Sequence, residues 1–209
     1  MDNVLSQARL IVMLRALGKA GLSPISLAEM NVFSYLVANL GLTWGINPFE
    51  GSFLKNMSRP YSPAVERSLS ALVARGFVNV TSIELHSSEE RYSVYFELVI
   101  ERCSDLFNSL YKFDDEVFFS DFVTELAFAF QSVPEDERTE FFKYDLTWDD
   151  PGVADGRLIQ ISKFLKNDGR NPTGNVISLL EHYRNDPYLT QQEKLALYIR
   201  LLIGRSNAE

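Results

Sequence analysis

Cysteine is almost missing from this chain. Cys103 stands alone among 209 residues, so no internal disulfide can form and no thiolate set can build a zinc site. Histidine is nearly as scarce: His86 and His182 are the two copies, and neither has a second ligand at metal spacing. No Gly-x-Ser-x-Gly elbow and no Cys–His pair offers a nucleophile. The stretch Gly169-Arg-Asn-Pro-Thr-Gly174 invites comparison with a phosphate loop. It lacks the Gly-Lys-Ser/Thr ending that reaches the terminal phosphates and magnesium. No strand carries Asp followed by Glu-x-Lys, which argues against a restriction-type nuclease core. Apolar runs stay well short of the ~20 residues that span a bilayer, and no basic flank leads into an apolar stretch near the N-terminus. A cytoplasmic protein with no membrane partner is the expectation.

What is present is material for a core. Hydrophobic residues make up 46% of the sequence, with fifteen Phe, enough for one large domain or two small ones. Charge is uneven in a way the net value of -8 conceals. Residues 1–80 hold seven Lys or Arg and four Asp or Glu, a balance of +3; residues 81–209 hold thirteen and twenty-four, a balance of -11. The two parts differ in sign.

Helical periodicity opens the sequence. Val4, Ala8, Ile11, Val12 and Arg15 recur at helical spacing over residues 4–17, with Gly18 and Gly21 placed to stop the helix. Ser26 is a predicted N-cap for a second helix, with Glu29 at its third position and Leu27, Met30, Phe33, Leu36, Val37 and Leu40 turned inward until Gly41. After a turn-rich stretch, Ser62-Pro63 supplies a cap followed by proline in the first turn, where the missing amide hydrogen costs nothing. Val65, Leu69, Leu72 and Val73 form the inner stripe of this third helix, Pro63, Glu66, Arg67 and Ser70 face out, and Gly76 is its stop. Residues 77–85 and 91–100 are rich in β-branched and aromatic side chains, and His86-Ser-Ser-Glu-Glu90 between them reads as a hairpin tip. Three helices followed by such a hairpin spell a winged helix.

The second part reads as helical. Phe113-Asp-Asp-Glu116 places acids at a helix start. Phe118, Phe119, Phe122, Val123, Leu126, Ala127 and Phe130 then occupy most of a circumference, which predicts a central helix. A shorter segment begins at Pro134-Glu-Asp-Glu137 and carries Phe141 and Phe142. Leu158, Ile161, Ser162 and Leu165 predict another helix, ended by residues 167–174, the candidate internal linker. Two helices around 176–183 and 191–203 follow, the last opened by a Thr190/Glu193 capping box. The predicted class is α+β, mainly α, with a winged-helix domain over 1–103 and a helical domain over 104–209.

No catalytic residue, metal ligand or cofactor site emerges. Asp114, Asp115, Asp149, Asp150 and Asp155 carry the oxygen ligands that hard cations prefer, but their settings are a helix start and a turn. Cys103 reads as a buried structural thiol. Lys55, Arg59, Arg67 and Arg75 form a candidate DNA-binding patch around the third helix, since nucleic-acid affinity rests on clustered cations. Glu66 on that helix and Glu89 and Glu90 beside Arg91 at the hairpin tip oppose it. Tyr183, Tyr188 and Tyr198 are candidate partner-binding residues, because tyrosine is enriched at protein interfaces.

The strings Ala8-Arg-Leu-Ile-Val-Met-Leu-Arg-Ala-Leu17, Ile25-Ser-Leu-Ala-Glu-Met-Asn-Val-Phe-Ser-Tyr-Leu36 and Tyr61-Ser-Pro-Ala-Val-Glu-Arg-Ser-Leu-Ser-Ala-Leu-Val-Ala-Arg-Gly-Phe-Val78 resemble the small middle component of bacterial ABC three-component systems. That group includes Lamassu-type anti-phage defence, and the likeness covers roughly the first hundred residues. It implies a non-catalytic accessory subunit that sits on an SMC-like ATPase beside an effector, often a nuclease, and helps to hold the effector inactive until foreign DNA is sensed. DNA would then be met mainly through the complex. A winged-helix DNA-binding transcriptional regulator is the alternative, and an enzyme with an unfamiliar site around Asp149, Asp150 and Asp155 is a third.

Overall fold

The computed structural model describes residues 2–46, 52–56, 59–86, 91–150, 152–161, 171–183, 189–206 and 208. It is mixed α+β and mainly helical, with two small antiparallel sheets. Helix α1 (Asp2–Lys19) leads to a two-residue strand β1 (Ile25–Ser26) and then α2 (Leu27–Gly41). Ser26 does double duty. Its backbone pairs with β5 (Arg91–Leu98) opposite Tyr95, while its hydroxyl accepts from the Glu29 N–H and the Glu29 carboxylate accepts in turn from the Ser26 N–H. The expected N-cap is formed, and Glu29 closes it into a capping box, a feature that contributes about 1 kcal/mol to a helix start.

Helix α3 (Pro63–Ala74) starts at its expected cap, where the Ser62 hydroxyl accepts from the Val65 N–H. It stops at Gly76, whose φ of 73° lies in the left-handed region. A Cβ at this position would also meet the end of the Arg102 side chain, which is flexible enough to move aside, so the positive φ is what calls for glycine. Strand β4 (Val78–His86) then pairs with β5 as predicted, giving a sheet ordered β1-β5-β4.

The turn-rich stretch before α3 holds an unexpected sheet. Strands β2 (Ser52–Asn56) and β3 (Arg59–Tyr61) form a hairpin, and β2 also pairs with β6 (Leu158–Gln160), setting Phe53 opposite Ile159. Leu158 was expected in a helix; it lies in a strand. Both Phe53 and Ile159 are buried, so this small sheet has a core contact that local helical spacing does not reveal. The rest of that expected helix falls on residues 162–170, outside the described ones.

Beyond β5 come α4 (Ser104–Leu110), α5 (Asp114–Gln131), a 3-10 turn at Phe141–Tyr144, α6 (Pro172–Tyr183) and α7 (Gln191–Ser206). The Thr190/Glu193 box opens α7 as expected. The predicted central helix changes identity. On α5, Phe119, Phe122, Val123, Leu126 and Phe130 are buried but Phe118 and Phe128 are exposed, whereas every residue of α2 from Met30 to Gly41 is buried. Helix α2 is the hub, with α5 packed on it through Phe33 and Phe130 at 5.5 Å between ring centres.

The expected halves do not keep separate cores. One cluster of buried side chains runs from Ala8 to Leu202, and α1 packs along α5. Arg9 donates to Glu116 at 2.7 Å while lying over the Phe119 ring at 4.8 Å, which fastens those two helices. Of the candidate linker, residues 167–170 are outside the described set; Asn171 precedes α6, Pro172 to Gly174 begin it, and Thr173 is fully buried.

Candidate functional site

Strand alternation gives the β4–β5 hairpin two faces. Ile83 lies opposite Val94 and Leu85 opposite Tyr92, and with i, i+2 spacing these four share one face. Ile83 is 64% exposed, Leu85 58% and Tyr92 69%. The other face carries Ser82, Glu84, Ser93 and Tyr95. Strand β4 is the outer strand of its sheet, so an apolar surface stands beside an open strand edge, interrupted by a bulge between Val80 and Ser82. The tip residues Ser87 to Glu90 lie outside the described residues.

The candidate cations are distributed over three elements and the end of α3. Lys55 sits half-buried on β2, where its backbone pairs with Arg157 and Gly156. Arg75 follows α3 and turns to α1, donating to Gln7 Oε1 at 2.7 Å. Arg67 is exposed on α3, next to Glu66, which accepts from the Tyr61 hydroxyl. Hydrogen bonding to Glu66 pushes the Tyr61 hydroxyl above its ordinary pKa, ahead of a small desolvation effect. Arg59 lines a cleft shared with carboxylates.

That cleft, of about 510 Å³, lies between the turn after α1, the start of α2, β3, β5 and the segment after α5. Arg59, Arg138, Glu29, Glu135 and Asp136 line it, with Tyr95 on one wall. Arg138 is engaged: its Nε donates to the Val133 carbonyl at 3.1 Å, and Nη1 faces Glu29 at 3.8 Å. Tyr95 is held above the ordinary tyrosine pKa, chiefly by burial and then by Glu84. The Arg59 Nε is buried and has no hydrogen-bond partner. A buried donor left in that state costs about 1–3 kcal/mol.

A second polar centre is satisfied almost throughout. Asp145 has no exposure at all. One carboxylate oxygen accepts from the Tyr35 hydroxyl at 2.5 Å and from the backbone N–H groups of Thr147 and Trp148 at 3.0 Å. The other accepts from Thr173 Oγ1 at 2.8 Å and from the Tyr198 hydroxyl. Asn39 Nδ2 reaches both oxygens at 3.1 and 3.2 Å. These donors come from α2, the segment after the 3-10 turn, α6 and α7, so one carboxylate joins four pieces of the protein. Burial, then the nearby Asp145 charge, drives the pKa values of Tyr35 and Tyr198 well above the ordinary range. Among the described residues Asp145 forms no ion pair, and hydrogen-bond donors surround it instead. Aromatic rings close the shell, with Tyr35 edge-on to Phe53 and to Trp148 at 5.6 Å.

Tyr198, a candidate for partner binding, is thereby corrected. It is 1% exposed and bound to Asp145, so it belongs to the core. Its helical spacing among Leu195, Ile199 and Leu202 carried the signal, since all four lie on the buried stripe. The Tyr183 side chain and Tyr188 lie outside the described residues. Cys103 is buried, its thiol donates to the Val99 carbonyl at 3.4 Å, and burial raises its pKa. Among the acids of the unfamiliar-site reading, Asp149 and Asp155 are exposed, and Asp150 accepts from the Gly152 N–H at 2.8 Å within a turn. Among the described residues no three His, Cys, Asp or Glu side chains gather as a metal site, and no helix is long and apolar enough to cross a membrane.

Comparison with protein-family models, with curated proteins and with solved structures finds no match for this protein.

Proposed function

We propose that the protein is a non-catalytic accessory subunit of a cytoplasmic, SMC-like ATPase-containing anti-phage complex, and that it docks through its β4–β5 hairpin. The effector of the complex is held inactive through this subunit until foreign DNA is sensed. In this reading the first hundred residues are a winged helix. The element order α1-β1-α2-α3-β4-β5, with β1 paired to β5, supports it. The β2–β3 hairpin between α2 and α3 is an insertion into that arrangement.

The observation that carries the docking reading is the exposed apolar group of Ile83, Leu85 and Tyr92, at the end of the hairpin where the face that carries half-buried Val94 and buried Phe96 runs on past the core. A hairpin that grips phosphates offers cations; the described exposed residues of this face are aliphatic and aromatic, the composition of protein interfaces. Helix α3 points the same way. A DNA-reading helix needs several outward donors, and here Arg67 is followed on the exposed side by Ser70 and Ala74, with Glu66 adjacent.

Co-purification of the tagged protein with its neighbouring gene products tests the reading. Recovery of an SMC-like ATPase, and its loss with Ile83→Glu plus Leu85→Glu, is the expected result. A lone homodimer that shifts duplex DNA, and stops doing so with Arg59→Glu plus Arg67→Glu, overturns it in favour of a transcriptional regulator.

A further inference from the structure

The cleft beside the hairpin holds a cation with nothing to bind. Arg59 lies half-buried on β3, its Nε has no hydrogen-bond partner, and it forms no ion pair with a described carboxylate. Glu29, Glu135 and Asp136 line the same cleft, yet none closes on it. Glu29 is occupied elsewhere: it caps α2 through Ser26 and faces Arg138. Arg138 is spent on the Val133 carbonyl. Arg59 is therefore the cleft's one cation, among the described residues, with no hydrogen bond or ion pair.

We propose that this cleft receives a carboxylate presented by a polypeptide, with Arg59 as its anchor. A guanidinium offers two parallel N–H groups spaced for the two oxygens of a carboxylate, and a modest rotation of the long Arg59 side chain turns its Nε edge into the cleft. The surrounding acids select the ligand. Three carboxylates on the walls tolerate one negative charge held against Arg59, but repel a phosphate dianion or a nucleic-acid strand more strongly. Ser26, Ser93 and Thr139 make the remaining wall polar, which suits a peptide backbone better than an apolar small molecule. The carboxylate has two sources, an Asp or Glu side group or the C-terminus of a polypeptide, and the chemistry of recognition is shared.

The test titrates the isotope-labelled 209-residue protein at constant ionic strength while following the Arg59 Nε–H resonance and the Ser93 and Tyr95 amides. Four probes are used: acetyl-Ala-Glu-Ala-amide, acetyl-Ala-Ala-Ala with a free terminal carboxylate, acetyl-Ala-Gln-Ala-amide and inorganic phosphate. Saturable shifts with either carboxylate peptide, at least tenfold weaker for the Gln peptide and for Arg59→Gln, are expected. The tighter of the two carboxylate peptides identifies the source. Glu135→Gln with Asp136→Asn changes exposed residues, leaves the fold intact and tightens carboxylate binding about threefold at low salt. No saturable shift, equal affinity in Arg59→Gln, or phosphate binding tighter than both peptides overturns the proposal.

Discussion

Asp145 and Arg59 are both charged groups withdrawn from water, and their surroundings are opposite. Six donors converge on the Asp145 carboxylate from residues as far apart in sequence as Tyr35 and Tyr198. Arg59 Nε meets no acceptor. A charge enclosed by partners holds the fold together; a charge left half-enclosed is available to something outside the protein. The difference separates a structural knot from a binding residue more sharply than burial alone, because desolvation costs both and only one is compensated.

Breaking the knot has the largest expected effect. Asp145→Ala orphans two tyrosine hydroxyls and two backbone N–H groups, and is expected to lower stability by about 3–5 kcal/mol in urea denaturation. The next effect is a pH dependence. Tyr35 and Tyr198 have pKa values raised in the fold, so their contribution is fully present below the unfolded value of about 10. Above it the unfolded state ionises first, and stability falls as pH rises toward the folded values, by about tenfold in the folding equilibrium per pH unit for each tyrosine. Tyr35→Phe with Tyr198→Phe flattens that alkaline limb, as read from denaturant midpoints between pH 9 and 11 (on the order of two units around the tyrosine value). Tyr198→Phe alone removes one donor of six, and about 1–2 kcal/mol is expected at neutral pH. Smallest is Arg59→Met, which keeps the aliphatic stem and removes the unpaired charge. A gain in stability smaller than the loss in Tyr198→Phe is expected from thermal or urea melts, because the uncompensated donor is removed from a residue that is only half-buried. A loss as large as that of Asp145→Ala would erase the contrast.

The residue pattern exposed the local punctuation of this fold well. Ser26 with Glu29, Ser62 with Pro63, Gly76, and Thr190 with Glu193 each act where their chemistry predicts, because caps and left-handed stops depend on neighbours within four residues. The β4–β5 pairing was legible for the same reason. Long-range features were not. Strands β2 and β6 meet across about a hundred residues, and Leu158 has helical spacing to Ile161 with nothing local to veto it. Asp145 sits between Tyr144 and Leu146 with no motif around it, and its partners are spread from α2 to α7. The apolar hairpin face was present in the sequence as Ile83, Leu85 and Tyr92. Its exposure was not, since strand alternation gives two faces without saying which is covered. Tyr198 failed as a surface residue because its neighbours Leu195 and Leu202 mark the buried stripe.

The hairpin supplies the most direct test of the proposed role. The tagged protein and its Ile83→Glu, Leu85→Glu variant, first shown to melt alike, are each purified from cells carrying the surrounding genes, and the bound proteins are identified by mass spectrometry. An SMC-like ATPase recovered with the parent protein and lost with the variant is the expected result. An ATPase retained equally by both, or a parent protein recovered alone as a DNA-binding homodimer, contradicts it.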